Sequence, residues 1–320
     1  MLSKLPVTDG FWPMIPRRPS GKYAHVVMVR ETESYSLFQT DGELNVARVR
    51  MGLRPPYAAP TTRIIMFKRK QTTPERLTGR EMLRRYEIVQ RLKEEKEGYI
   101  QVDDCLYNEG TACTACPDCV LYGFAAGNEM SEKSKVYADT CFSITPYDLS
   151  HETFSFNAPY EAGNMSQQGQ VKEHFGEQDH VLPQVFFPAI ETLRDPTELG
   201  FIYWLGNILR TATYGAQGTR TGRMENHIVA LVFGNSEIFS NLRLTQALYD
   251  ELATQKVLDE NPLPREAVLQ AARAAAEVLL ASEPGSFTLV AGDDLAALLT
   301  ELRDLLAEED RLRETLWQLA

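Results

Sequence analysis

The chain has 320 residues, 43% apolar and 24% charged, with a formal net charge of −11; the length allows a sizeable core in one elaborated globular domain, or two small ones. No apolar run approaches the roughly 20 residues that span a bilayer, and the opening MLSKLPVTDGFWPMIPRRPSGK lacks the apolar stretch of a secretory signal, so no membrane partner is expected and a cytoplasmic location is. The net charge conceals a split. Residues 1–100 hold 19 Lys and Arg against 11 Asp and Glu, while the other 220 hold 14 against 33. A basic part and an acidic body fit a protein that binds a polyanion, or whose basic part meets the acidic part of a neighbouring copy. They also fit an inert dipolar surface.

In chain order, residues 23–30 (YAHVVMVR) read as a strand that residues 35–38 continue. Residues 44–50 alternate, so Leu44, Val46 and Val49 are expected inward and Arg48 and Arg50 outward. Residues 54–60 read as a loop. Residues 63–70 (RIIMFKRK) read as a strand with a basic end at Lys68 and Arg69. Thr73-Pro74-Glu75 marks a helix start, with Thr73 as cap and Pro74 in the first turn. The helix is expected to run to about Glu97 as a solvated amphipathic element.

Four of five cysteines follow at Cys105, Cys113, Cys116 and Cys119, a C-x7-C-x2-C-x2-C spacing. Short x2 spacings put two sulfurs on one ion, and zinc takes four such ligands in a tetrahedron. Asn108, Gly110 and Pro117 make the stretch loop-like. A structural zinc site is expected, with Cys141 or a histidine as an alternative to Cys105; buried free thiols are the other reading. A cytosolic disulfide is not expected, and the His-x-Glu and Pro-Cys-x-x-Cys pair of zinc deaminases is missing.

Two short β-type runs, 154–156 (FSF) and 185–187 (VFF), bracket the polar stretch 157–183 with Gly163, Gly169 and Gly176. This reads as a projecting hairpin over 154–187, since so long a connection in a compact domain is functional or mobile. Leu205, Ile208 and Leu209 then mark one face of a helix. Residues 214–223 (YGAQGTRTGR) hold three glycines, and 227–233 (HIVALVF) read as a buried strand. Glycines allow positive φ and close approach to the main chain. Free N–H groups in such a turn make an anion-binding concavity, Arg220 and Arg223 supply forked donors for phosphate, and Tyr214 offers a ring for a base. The order helix–loop–strand excludes a dinucleotide fingerprint, and the Gly-Lys-Ser/Thr of a triphosphate loop is not there. A flexible turn with two solvated arginines has the same composition. Beyond it, residues 240–250 lead into acidic, helical sequence, and 265–281 and 295–319 read as helices, separated by Glu283-Pro284-Gly285-Ser286. Residues 250–320 carry 15 acids and 6 bases, so they are expected to pack on the core or meet a neighbour rather than touch a polyanion.

Two motifs carry a resemblance. The run TATYGAQGTRTGRMENHIVALVFGNSEIFSNLRLTQ at 211–246 resembles the glycine-rich segment of the backbone subunit of type I-D CRISPR effector complexes, in the repeat-associated RNA-binding protein superfamily. CPDCVLYG at 116–123 resembles that superfamily's Cys-x-x-Cys-x-Leu-Phe-Gly segment, with Tyr122 in place of Phe. Short strands mixed with helices indicate an α+β fold, and the resemblance implies a ferredoxin-like, RNA-recognition-type core, a zinc-containing insertion at 52–140, a projecting thumb at 154–187, and the loop, core strand and terminal helices at 200–320. It implies a non-enzymatic subunit whose copies assemble side by side on guide RNA, with the paired target strand and other effector subunits as partners. The expected RNA-binding residues are Tyr214, Gly215, Gln217, Gly218, Thr219, Arg220, Thr221, Gly222, Arg223 and Asn226, with Arg17, Arg18, Lys68 and Arg69. The competing expectations are an endoribonuclease using Asp103, Asp104 or Asp139, and a monomeric RNA-binding regulator.

Overall fold

The computed structural model describes residues 2–7, 9–95, 105–106, 112–126, 130–157, 166–167, 170–171 and 175–319. Strand β1 (Tyr23–Thr32) is its centre, and nine of its ten residues are buried. Shorter pieces aside, there follow β2 (Val46–Arg50), β3 (Pro60–Met66), α1 (Lys68–Arg85), α2 (Ile88–Glu95), α3 (Pro117–Tyr122), β4 (Val136–Ala138), β5 (Cys141–Phe142), β6 (His151–Asn157) and β7 (Phe175–Val181). The second half brings β8 (Phe186–Arg194), α4 (Glu198–Arg210), β9 (Met224–Gly234), α5 (Asn241–Gln255), α6 (Arg265–Leu280), β10 (Phe287–Val290), α7 (Gly292–Ala307) and α8 (Glu309–Leu319).

The main sheet has the order β10-β9-β1-β8-β4, with every pairing antiparallel. Ala24, Val26 and Met28 of β1 join one buried cluster with α4, α7 and α8, while Val27 and Val29 join a second with α5 and α6. Helices on both faces explain why the YAHVVMVR run is continuously apolar rather than alternating. Because β8 and β9 each run antiparallel to β1, they run parallel to each other, and α4 crosses between them. That helix is buried all round from Gly200 to Ile208, not only along the expected stripe, and its start is capped by the Thr197 hydroxyl accepting from the Gly200 amide at 3.0 Å. The chain is thus mixed α/β with antiparallel sheets, and none of its described helices is long and apolar enough to cross a membrane.

Several local expectations shift. Residues 35–38 form no strand; Ser36 makes an isolated bridge to Val181. Val46 is 45% exposed while Leu44 is buried; the two belong to separate strand pieces on either side of Asn45, so one alternation does not run through both. The strand 60–66 stops before its basic end, and α1 begins at Lys68, with Pro74 inside it rather than at its start. The Gln71 amide donates to the carbonyls of Met66 (3.0 Å) and Asp139 (2.7 Å), a tertiary anchor at a helix start that lies nearly two turns before the Thr-Pro signal. The hairpin pairs β6 with β7, from His151↔Val181 to Asn157↔Phe175. Its second arm is therefore not 185–187, which opens the core strand β8. The expected run 295–319 is two helices that meet at Glu308. The expected helix end at Glu97, together with Asp103, Asp104, Asn108, Gly110, Gly163 and Gly169, lies outside the described residues.

Candidate nucleic-acid interface

Residues 214–223 leave α4 and enter β9 at the end of the sheet where β1 finishes. The segment after β1 clamps the loop through its backbone. The Arg223 carbonyl accepts from the Glu33 amide at 2.9 Å, the Tyr35 carbonyl accepts from Gly222 at 3.1 Å, and the Leu37 carbonyl accepts from Ala216 at 2.9 Å. Gly215 and Gly222 have φ of 89° and 93°. A Cβ at Gly222 would lie 2.2 Å from the Tyr214 carbonyl oxygen, and one at Gly215 would lie 2.7 Å from that of Leu37. Gly218 has neither constraint: its φ is not positive, and a Cβ would meet only Thr213 Cγ2 at 3.1 Å. Gly222→Ala is therefore expected to cost more than about 2 kcal/mol, from positive φ plus a backbone clash. Gly218→Ala should stay within about 0.5 kcal/mol. Thermal unfolding of the two variants checks this; equal losses would refute it.

Tyr214 is 0% exposed, so its ring is no stacking platform. Its hydroxyl donates to Glu75 Oε1 at 2.9 Å and accepts from Asn226 Nδ2 at 2.7 Å. Asn226 also accepts from Arg30 Nη1 at 2.8 Å and donates to the Ile208 carbonyl at 3.0 Å, and this half-buried residue lines the groove that holds Arg223. Arg30 lies between two carboxylates, Glu75 at 2.9 Å and Glu191 at 2.7 Å, with all three side chains fully buried. Burial and then Glu75 push the Glu191 carboxyl well above the usual carboxylate range, opposed by Arg30. Two buried acids share one cation, an arrangement that disfavours a second negative charge. This network anchors the loop to α1, β1 and β8. Its members sit 139 and 161 residues apart in the chain, and no sequence signal marks them.

Outside this anchor the loop is open. Gln217, Gly218, Thr219 and Arg220 are exposed and Thr221 is half-buried. Among the described residues, the amides of Gly218 and Thr219 have no hydrogen-bond partner and Arg220 has no ion pair. One flank of the loop faces the start of α1 across a cleft lined by Arg69, Lys70, Thr73, Thr78, Glu81, Thr213, Gly215 and Gly218. Partial burial and then the Arg69 charge lower the pKa of Lys70. The fold thus brings the loop and Arg69 together, adding Lys70 and the hydroxyls of Thr73, Thr78 and Thr213, none of them expected at the site. Lys68 turns away toward the Val136 carbonyl, at 3.4 Å. Arg223 lies on the other flank, in a groove with Arg210 and Arg303, and pairs with Glu33 at 3.2 Å. Gln217 reaches the hairpin, donating to Gln178 Oε1 at 3.2 Å. Arg17 and Arg18 are exposed beside the other end of β1, which at the usual rise of about 3.3 Å per residue lies roughly 30 Å from the loop. They do not join this site.

The cysteines form a second constellation. The sulfurs of Cys105, Cys113, Cys116 and Cys119 all lie within 4.8 Å of one another and are buried. The separations are 3.4 Å for Cys105–Cys119 and 3.9 Å for both Cys113–Cys119 and Cys105–Cys116. A tetrahedron with Zn–S bonds of about 2.3 Å needs sulfurs about 3.8 Å apart, so this donor set fits such an ion. The amides of Cys113 and Cys116 donate to the sulfurs of Cys105 (3.4 Å) and Cys113 (3.3 Å), and hydrogen bonds from the neighbouring thiols lower the Cys105 pKa. Asp118 holds α3 to α1 by accepting from Arg76 at 2.8 Å and Arg80 at 2.7 Å. Cys141 is elsewhere, donating to Gln71 Oε1 at 2.9 Å, with burial pushing its thiol up to about 12. The fourth sulfur is therefore that of Cys105. Asp139 is exposed beside Asn241 and does not line the loop cleft.

A family model described as Csc2 Crispr matches residues 10–316. No curated protein matches the chain. Among solved structures, Csc2 of Thermofilum pendens superposes with a TM-score of 0.63 at 16% identity, covering 99% of this chain and 96% of that one. Chains of a CRISPR RNA-guided surveillance complex give a TM-score of 0.54 in its pre-nicking state and 0.50 in a second structure. Both are 12% identical over 89% of this chain, covering 99% and 98% of theirs. At such identities the likeness is one of fold.

Proposed function

The chain belongs to the Csc2 CRISPR family, and from that premise we propose that it is the repeating backbone subunit of a type I-D effector complex. In this reading it holds single-stranded guide RNA along the phosphate backbone. Copies lie side by side, the paired target strand and other effector subunits are its partners, and it does not cleave. The observation that carries the reading is the cleft where Thr213, Gly215 and Gly218 of the loop face Arg69 and Lys70, with Arg220 exposed on the same loop. Phosphate contacts position a strand without reading its sequence, and only cations, amides and hydroxyls are needed there.

The core is read as ferredoxin-like. In support, β9, β1, β8 and β4 stand in the order 4-1-3-2 once numbered by position in the chain, α1 falls between the first and second, and α4 falls between the third and fourth. The hairpin β6–β7 remains the proposed thumb, and the four-cysteine centre is proposed to hold one structural zinc. The nuclease alternative has little support: Asp139 stands away from the cleft, and the carboxylate lining the cleft is that of Glu81.

Arg220→Ala and Arg69→Ala are each expected to flatten the slope of log K against log salt by about 0.7 per lost contact on a single strand. The loss should be nearly equal for any RNA sequence. Titrations of labelled RNA over a salt series measure it. An unchanged slope in the double variant would refute the interface, and regular product bands with added metal would favour the nuclease.

A further inference from the structure

With Tyr214 buried, the loop carries no ring for a base, yet another stands beside it. Two aromatic side chains of the described residues are more than a third exposed, Phe67 at 42% and Tyr35 at 38%. Phe67 touches no other ring there. Tyr35 is held by two: Phe154 of β6 at 4.7 Å and 82°, and His180 of β7 at 6.3 Å and 87°, which themselves meet at 5.3 Å. Its backbone is fixed on both sides, its carbonyl accepting from Gly222 of the loop, and the next residue, Ser36, exchanging hydrogen bonds of 3.1 and 2.8 Å with Val181 of the hairpin. Tyr35 therefore stands where loop and hairpin meet. Both contacts are edge-to-face, so no described ring lies parallel on it. A ring immobilised before binding loses little freedom when a base settles on it.

We infer that Tyr35, backed by Phe154 and His180, is a stacking surface for one base of the strand whose phosphates lie on the glycine loop. The inference rests on the proposed RNA binding and adds to it a base contact without sequence preference, since every base has a π-face.

The test compares an ordinary single-stranded RNA with a ribose-phosphate strand of the same length lacking bases, using the full-length protein. The native protein should prefer the base-bearing strand. Tyr35→Leu, which keeps apolar bulk against Phe154, should weaken binding of that strand by about tenfold, within the range for one base–aromatic stack. It should leave the abasic strand and the salt slope unchanged. Tyr35→Phe should bind like the native protein, and 2-aminopurine placed along the strand should be quenched at one position in the native protein but not in Tyr35→Leu. Equal affinity of the native protein for both strands, or an equal loss on both in Tyr35→Leu, overturns the stacking role while leaving phosphate binding intact. Failure of the native protein to bind either strand overturns the proposed function itself, and stacking with it.

Discussion

Cys116→Ser is expected to release one zinc ion per chain and to lower stability by several kcal/mol. A structural site exists only in the folded state, so its binding free energy becomes folding free energy, about 10–16 kcal/mol in small zinc modules near neutral pH. The loss would spread beyond the site. The four cysteines belong to the same buried cluster as Tyr203, Trp204 and Leu205 of α4, and Arg80 of α1 donates to the Cys105 carbonyl as well as to Asp118. Cys141→Ser is the matched control: it alters a buried thiol bonded to Gln71 and should keep the metal. Elemental analysis and thermal unfolding of both variants decide the matter. A native protein without zinc, or a Cys116→Ser variant as stable as the native one, would dismiss the centre.

Arg30→Met should cost about 3–5 kcal/mol, the usual penalty for leaving buried charge uncompensated. The size of the loss should depend on pH. Glu191 is held above its unfolded value, so the folded state keeps a proton that the unfolded chain releases near pH 4.3. Stability from that proton is complete below the unfolded pKa and fades as pH rises through the folded one. Removing Arg30 removes what opposes the upshift. The deficit of the variant should therefore be smallest near pH 4–5 and grow toward neutrality. Denaturant titrations across this range measure it, with Arg273→Ala as a surface control. The exposed Arg273–Glu277 pair is worth at most about 0.5 kcal/mol. A pH-independent deficit would mean that Arg30 acts through packing alone.

Some features were legible because they are short-range. The x2 spacings of Cys113, Cys116 and Cys119 place their sulfurs together through local geometry, and only the distant Cys105 needed the fold to be chosen over Cys141. The apolar run 227–233 became the inner part of β9 because a segment without polar alternation must be covered on both faces. The glycine requirement was also readable as a class. Which glycines bear it was not: Gly215 and Gly222 have positive φ because the segment 33–37 clamps the loop backbone, and that clamp is a tertiary contact.

What the sequence by itself determined is the chemistry available at each place: thiols in zinc spacing, a glycine-rich turn carrying two arginines, and an apolar strand behind it. What only the tertiary structure decided is who faces whom. Tyr214 became a core residue, with Asn226 half-buried beside it, because Arg30, Glu75 and Glu191 arrive from three other elements and need hydrogen-bond partners. Arg69 reached the loop while Arg17 and Arg18 stayed at the far end of β1. Such outcomes turn on pairings across more than a hundred residues, where local propensity and spacing carry no information and burial sets the energy.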